Sequence, residues 1–265
     1  MLWSKIAGAG GFVGGGGGNP ISLTDFSYSG SSRTITDTSP IYGLDVAGNG
    51  LSLLLGMYSS FSGSIRKYSL TTAWDLATAS GTASQASFSP NITGCCWSDD
   101  GMYVYATDFN NNRVYGRPLS VAWDLSTLGT QVQFSLAGQG SQPYDVNISS
   151  DGSSLYVRLG STGLTYQYTL STPYNVSTAS YTGKSKNLAI YQTFTADGSQ
   201  VLGSNSTSVF LHDLSTPWDI STSVRTGSLV LSGSFTTIRG VALGNSDLSL
   251  YIFDQSGATV YQYNR

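Results

Sequence analysis

"LSTPWDIST" occupies Leu214–Thr222, and the same pattern stands at Leu70–Thr78 as "LTTAWDLAT", at Leu119–Thr127 as "LSVAWDLST" and at Leu170–Thr178 as "LSTPYNVST". A catalytic group is needed once, whereas a motif that returns at regular spacing marks a structural joint. The stretches between the copies say what is joined. Turn residues Gly50, Gly101, Gly152, Gly198 and Asp247 are 51, 51, 46 and 49 residues apart. Each turn is flanked by strand-like runs. A third run follows, such as "SIRKYSL" from Ser64 or "LTYQYTL" from Leu164, then the nonamer, then a fourth run rich in Ser and Thr. Four short strands per unit of about 49 residues is the arithmetic of a propeller blade.

Five turn anchors predict an all-β, five-bladed β-propeller of four-stranded antiparallel blades over residues 21–265. The fifth unit reaches Arg265 on its third strand. "SYSG" at Ser27–Gly30 reads like "SYTG" at Ser180–Gly183, in the fourth run of the third unit. Residues Ile21–Gly30 are therefore expected to supply the missing outer strand and close the ring. Within the nonamer, Trp74, Trp123, Tyr174 and Trp218 offer large apolar area for packing over a blade edge or between blades. Asp75, Asp124, Asn175 and Asp219 suit a turn in which the side chain accepts an N–H two residues on.

Composition agrees with strands. Charged residues are 10% of the chain, well below the usual ~25%, and all 15 acidic residues are Asp, so the helix-forming Glu is missing. A net charge of −3 without a basic run argues against a duplex nucleic-acid partner. No run of about 18 apolar residues offers a membrane span. The opening "MLWSKIAGAGGFVGGGGGNP" has too much Gly for a secretory apolar core. Cys95 and Cys96 are neighbours on a strand, so they point to opposite faces and do not pair with each other.

"SSDGSSLYV" at Ser149–Val157 and "YQYTLSTPYNVSTASY" at Tyr166–Tyr181 are similar to the propeller repeats of tailed-bacteriophage virion proteins. The resemblance covers about residues 21–265, and the opening "MLWSKIAGAGG" also resembles the start of phage structural proteins. It implies a non-enzymatic virion component, such as a tail-fibre, tail-tip or surface-decoration protein on the particle surface. Host adhesion or particle reinforcement would be its work, in multiple copies. Residues 1–20 do not fit the repeat. They read as an anchoring arm contacting other virion proteins, with Leu2, Trp3, Ile6 and Phe12 as anchors between glycines.

The candidate ligand residues are Tyr42, Tyr144, Tyr191 and Arg239, which precede or enter first strands near one face of the ring and suit a host-surface glycan. The alternative is a secreted carbohydrate-binding or glycoside-hydrolase-like propeller. A hydrolase would need paired carboxylates, and here only Asp45 and Asp145 lie on channel-lining strands, while most Asp residues, such as Asp99, Asp100, Asp151, Asp197 and Asp247, sit in expected turns. No catalytic residue is assigned. His212 falls at a repeat position held by Tyr68 and Tyr168, which reads as a strand residue. No metal or cofactor is expected: there is no His/Cys/carboxylate cluster, "DFNNN" at Asp108–Asn112 reads as a hairpin loop, and the Gly-rich arm lacks a phosphate loop's Lys-Ser/Thr end.

Overall fold

The computed structural model describes residues 20–265 except 37–39, 59–62, 82, 89–90 and 232–234. The arm anchors Leu2, Trp3, Ile6 and Phe12 lie outside the described residues. Strand β1 is Ser27–Thr34. Blade one is β2 (Ile41–Val46), β3 (Ser52–Met57), β4 (Ser64–Ser69) and β5 (Ser84–Ser87). Blade two is β6 (Ile92–Trp97), β7 (Tyr103–Asp108), β8 (Arg113–Pro118) and β9 (Val132–Ser135). Blade three is β10 (Pro143–Ile148), β11 (Ser154–Leu159), β12 (Leu164–Leu170) and β13 (Ala179–Lys186). Blade four is β14 (Tyr191–Phe194), β15 (Gln200–Ser204), β16 (Ser208–Leu214) and β17 (Ser223–Val230). Blade five is β18 (Ile238–Gly244), β19 (Ser249–Asp254) and β20 (Thr259–Asn264), with β1 paired antiparallel to β20 as its fourth strand.

The five sheets form a five-bladed β-propeller. The innermost strands β2, β6, β10, β14 and β18 pack one against the next, and β18 returns against β2. Strands β3, β6 and β19 are buried along their whole length, because both of their faces meet neighbouring blades. Outer strands such as β9 alternate between partly buried and exposed positions. The core is thus a series of apolar layers between sheets. One layer joins Leu53 and Leu55 of blade one to Tyr251 and Phe253 of blade five.

The nonamer is the joint between the third and fourth strands, and its aromatic has a specific seat. Trp74, Trp123, Tyr174 and Trp218 adopt φ of 63°, 57°, 66° and 64°. Left-handed backbone at such residues costs on the order of 1–3 kcal/mol. The bend lays each ring on the turn glycine of its own blade. A Cβ at Gly101 would stand 2.2 Å from the Trp123 ring, and one at Gly198 2.2 Å from Trp218. These turn glycines are also left-handed, with φ of 70° at Gly101 and 69° at Gly198. The backbone N–H of each aromatic residue donates at 2.9 Å to the carbonyl of the same glycine. The next residue caps a one-turn 3-10 segment: Asp75, Asp124, Asn175 and Asp219 accept from the N–H two residues on. Leu76, Leu125, Val176 and Ile220, which open those segments, are buried between blades.

The closing strand differs from the sequence expectation. Residues 21–26 do not pair with β20; the pairing runs from Ser27 to Thr34, opposite Asn264 to Thr259. The residues before it form a fifth joint. "PISLTDFSYSG" at Pro20–Gly30 matches "PYNVSTASYTG" at Pro173–Gly183 position by position. Ser22 caps the 3-10 segment Leu23–Asp25 and Leu23 is buried, as Asn175 and Val176 do in the third unit. The chain is a five-unit ring opened just before one joint, so the last unit's joint and outer strand stand first in the sequence.

Candidate functional site

The axis of the ring is lined by first-strand residues, and side chains rather than a sheet ladder stitch these strands together. Asp45 accepts the Trp97 N–H at 2.8 Å, linking blade one to two. The Thr93 hydroxyl donates to the Pro143 carbonyl, linking two to three. Asp145 accepts the Gln192 N–H at 2.6 Å, linking three to four. Thr193 accepts the Leu243 N–H at 3.2 Å, linking four to five. Between five and one, Gln255 accepts the Ile41 N–H at 3.1 Å. Glycines let the backbones close in: a Cβ on Gly94 would stand 2.6 Å from the Asp145 Cα. Burial pushes the Asp45 carboxyl up to about 7, partly offset by N–H bonds from Trp97 and Val46. Burial pushes Asp145 up to about 8 against the N–H bonds it accepts.

The two ends of the axis differ in chemistry. At the turn end, a funnel of about 270 Å³ is lined by Asp45, Ser98, Asp99, Asn147, Thr195 and Asp247 among others. Burial raises the carboxyls of Asp99 and Asp247, with neighbouring carboxylates adding to the rise. At the other end, where first strands begin, aromatic rings run around the axis. Arg239 of blade five lies over the Tyr42 ring at 5.0 Å. Tyr42 meets Tyr58 edge-on at 5.6 Å, Tyr58 meets Phe109 at 6.2 Å, and Phe109 meets Tyr144 at 5.5 Å. The row crosses blades five, one, two and three. Each of these five side chains is half-buried.

Of the sequence-predicted ligand residues, Tyr42, Tyr144 and Arg239 fall in this row. Tyr191 lies beside Arg239 but is only 1% exposed, so it backs the row rather than presenting a face. It is buried because it begins β14 facing the apolar layer that contains Leu202, Ile238 and Val241. Sequence reasoning missed Tyr58 and Phe109. Both stand at the first loop position after the second strand, where blade three has Gly160, so aligning the loops as well as the strands would have found them. Gly160 is itself used: a Cβ there would meet the Tyr144 ring at 2.5 Å.

Other singled-out residues have structural partners. His212 is a buried β16 residue opposite Val201, and burial, then Arg225 and Lys186, push it down to about 4. Cys95 and Cys96 are free and buried, one in the layer with Leu54 and Val104 and the other in the layer with Tyr105 and Val146. Asp108 accepts the N–H groups of Asn110 at 3.1 Å and Asn111 at 3.0 Å, as a hairpin loop requires. Among the described residues no group of three or more His, Cys, Asp or Glu side chains is placed to hold a metal, and no helix is long and apolar enough to cross a membrane.

No protein-family model matches the chain, and no curated protein matches it. Solved structures do. A functionally unknown protein from Desulfotomaculum acetoxidans aligns over 81% of this chain and 65% of its own, at 15% identity and TM-score 0.49. This chain thus spans just under two thirds of that protein's length. The β-propeller domain of Cps50 (Swd1) from Myceliophteria thermophila aligns over 91% of this chain and 80% of its own, at 8% identity and TM-score 0.47. The periplasmic gluconolactonase PpgL of Pseudomonas aeruginosa aligns over 88% of this chain and 68% of its own, at 15% identity and TM-score 0.51. At such identity the last likeness extends to the propeller fold and no further.

Proposed function

We propose that the chain is a non-enzymatic, glycan-adhering component of a tailed-phage virion, displayed in multiple copies on the particle surface. The observation that carries the adhesion reading is the row Arg239–Tyr42–Tyr58–Phe109–Tyr144 at one end of the axis. Half-buried aromatics held by one another offer rigid faces to the C–H faces of sugar rings at little entropic cost. The axial carboxyls Asp45 and Asp145 are each engaged by backbone N–H groups of the next blade, a use that favours scaffold over chemistry. The virion placement rests on the resemblance of the repeat wording. Residues 1–20, with Leu2, Trp3, Ile6 and Phe12, would join the ring to other virion proteins.

Two measurements on full-length protein test this. Replacing Tyr42 and Tyr144 together by Ala should abolish binding to host cells while the fold survives by circular dichroism. Deleting residues 1–18 should leave the ring folded but absent from purified particles. A second reading is favoured by the acidic funnel, where Asp45 at about 7 has the protonation of a general acid near neutral pH. Release of reducing sugar from a host polysaccharide, lost in Asp45→Asn, would replace adhesion by hydrolysis.

A further inference from the structure

We infer that the aromatic end of the axis recognises an acidic glycan, with the Arg239 guanidinium taking a sugar carboxylate and Tyr42, Tyr58, Phe109 and Tyr144 taking the ring faces. This rests on the adhesion reading and gives it a ligand class.

Arg239 is half-buried, stacked on Tyr42 and beside the Tyr191 hydroxyl, a neutral neighbour; among the described residues it has no ion-pair partner, and its Nε, shielded from solvent, finds no acceptor. Arg33 also has a shielded Nε without an acceptor, but its terminal nitrogen donates to the Ser80 carbonyl at 2.8 Å, and three other arginines are bonded or paired. Arg158 donates from Nε to the Ala189 carbonyl at 2.6 Å and from a terminal nitrogen to Leu159 at 2.8 Å. Arg117 donates to the Gly129 carbonyl at 3.0 Å. Arg265 meets Asp25 at 3.3 Å. Leaving a cation half-desolvated without a counter-charge is costly. The axial carboxyl of the same end gives no relief: Asp145 is committed to the Gln192 N–H and to Asn147. Burial also holds it toward its neutral form.

A guanidinium presents five N–H donors in a planar fork that matches a carboxylate. Stacking on Tyr42 fixes the plane of that fork before any ligand arrives. A ligand that joins a carboxylate to ring faces within reach of the neighbouring aromatics is a uronic-acid or sialic-acid sugar. A neutral sugar would use the aromatics and leave the charge unpaired.

Isothermal titration calorimetry on the full-length protein would use trigalacturonate and 3′-sialyllactose, each against its neutral counterpart: carboxyl-reduced trigalacturonate and lactose. At least one acidic sugar should bind about tenfold or more tightly than its counterpart, and rising salt should erase the difference. Arg239→Gln should bring the acidic sugar down to the level at which the same variant binds the neutral sugar. Arg239→Lys, which keeps charge but not the fork, should recover part of the preference and serves if the Gln variant melts early. Equal binding of acidic and neutral sugars would overturn the carboxylate assignment and leave glycan adhesion standing. Binding of neither would overturn both. An acid preference that persists in Arg239→Gln would place the carboxylate elsewhere and also overturn the assignment.

Discussion

Four joints of this propeller lie within a continuous chain, and the fifth is made where the N-terminal segment returns to the last blade. The internal joints carry an aromatic pressed on a turn glycine. At the fifth, Ile21 stands where the aromatic would be, and the corresponding turn carries Asp247, with φ 67°, where the others have Gly. The two changes belong together: with no aromatic ring at the joint, the turn loses the packing reason for a residue without Cβ. What survives is a glutamine clamp that two of the four internal joints also have, the Trp123 and Tyr174 carbonyls being held by Lys67 and Tyr105 instead. Gln262 holds Trp74 O and Leu76 N at 2.7 and 2.8 Å, and Gln167 holds Trp218 O and Ile220 N at 2.9 and 3.2 Å. At the fifth joint Gln200, from a different strand position, holds Ile21 N and O at 2.7 and 3.2 Å. The backbone turn is therefore the conserved requirement of the architecture, and the aromatic is one way to fix it.

The largest effect should come from removing the fifth joint altogether. Deleting residues 1–34 strips β1 from β20 and leaves a bare edge with a row of unpaired backbone groups. Aggregation or loss of a cooperative melt is expected. A deletion variant melting like the full chain would mean that the ring does not need its N-terminal strand.

Next come the internal joints. Trp123→Ala should cost about 3–5 kcal/mol in urea unfolding, and Ile21→Ala less, since its seat has no turn glycine beneath it. Gly101→Ala should be of similar severity to Trp123→Ala, because the new Cβ meets the indole and φ is +70°. The double variant Gly101→Ala/Trp123→Ala should be far less destabilised than the sum of the two. Additive losses would separate the ring from the turn.

The axial stitches sharpen the comparison by pH. Asp45 and Asp145 carry folded values of about 7 and 8, above the ordinary 3.8, so the folded state holds more protons than the unfolded one. Their contribution is complete near pH 4 and lost as pH rises through those folded values. His212, lowered from 6.5 to about 4, works in the opposite sense between those two values, so the clean window lies above about 6.5. The melting temperature should fall from pH 6.5 to 8.5, and Asp145→Asn should flatten that fall. A flat wild-type profile would mean that the carboxyls are ionised at no cost. The blade five-to-one stitch uses the neutral Gln255, so Gln255→Ala should lower stability without altering the pH profile.

The smallest effect tests the clamp. Gln200→Ala and Gln262→Ala should each cost about 1–3 kcal/mol, since the first strands the N–H and carbonyl of Ile21 and the second strands the Leu76 N–H, while the Trp74 carbonyl keeps the Tyr251 hydroxyl. The Gln200 variant should also speed opening of β1, read as faster hydrogen exchange at Ser27–Thr34.

The repeat determined much from sequence alone. Four turn glycines and an Asp at regular spacing, with four nonamers, were enough to count blades, because a repeated joint must connect repeated elements. They also implied closure by the N-terminal segment, since the fifth unit lacked an outer strand. The fifth joint itself escaped the reading: Ile21 and Ser22 replace the aromatic and the Asp by which the motif is recognised, while the turn depends on backbone geometry that several residues permit. The left-handed aromatics were equally hidden, because nothing in "AWD" or "PWD" marks a positive φ; the ring's seat on the turn glycine selects it. Tyr42, Tyr144 and Arg239 were readable as residues near one face. Only the tertiary structure linked them through Tyr58 and Phe109, buried Tyr191 behind them and left Arg239 without a counter-charge among the described residues. Local patterning fixes which strand each residue occupies, but those five side chains come from four blades, and their meeting depends on ring closure.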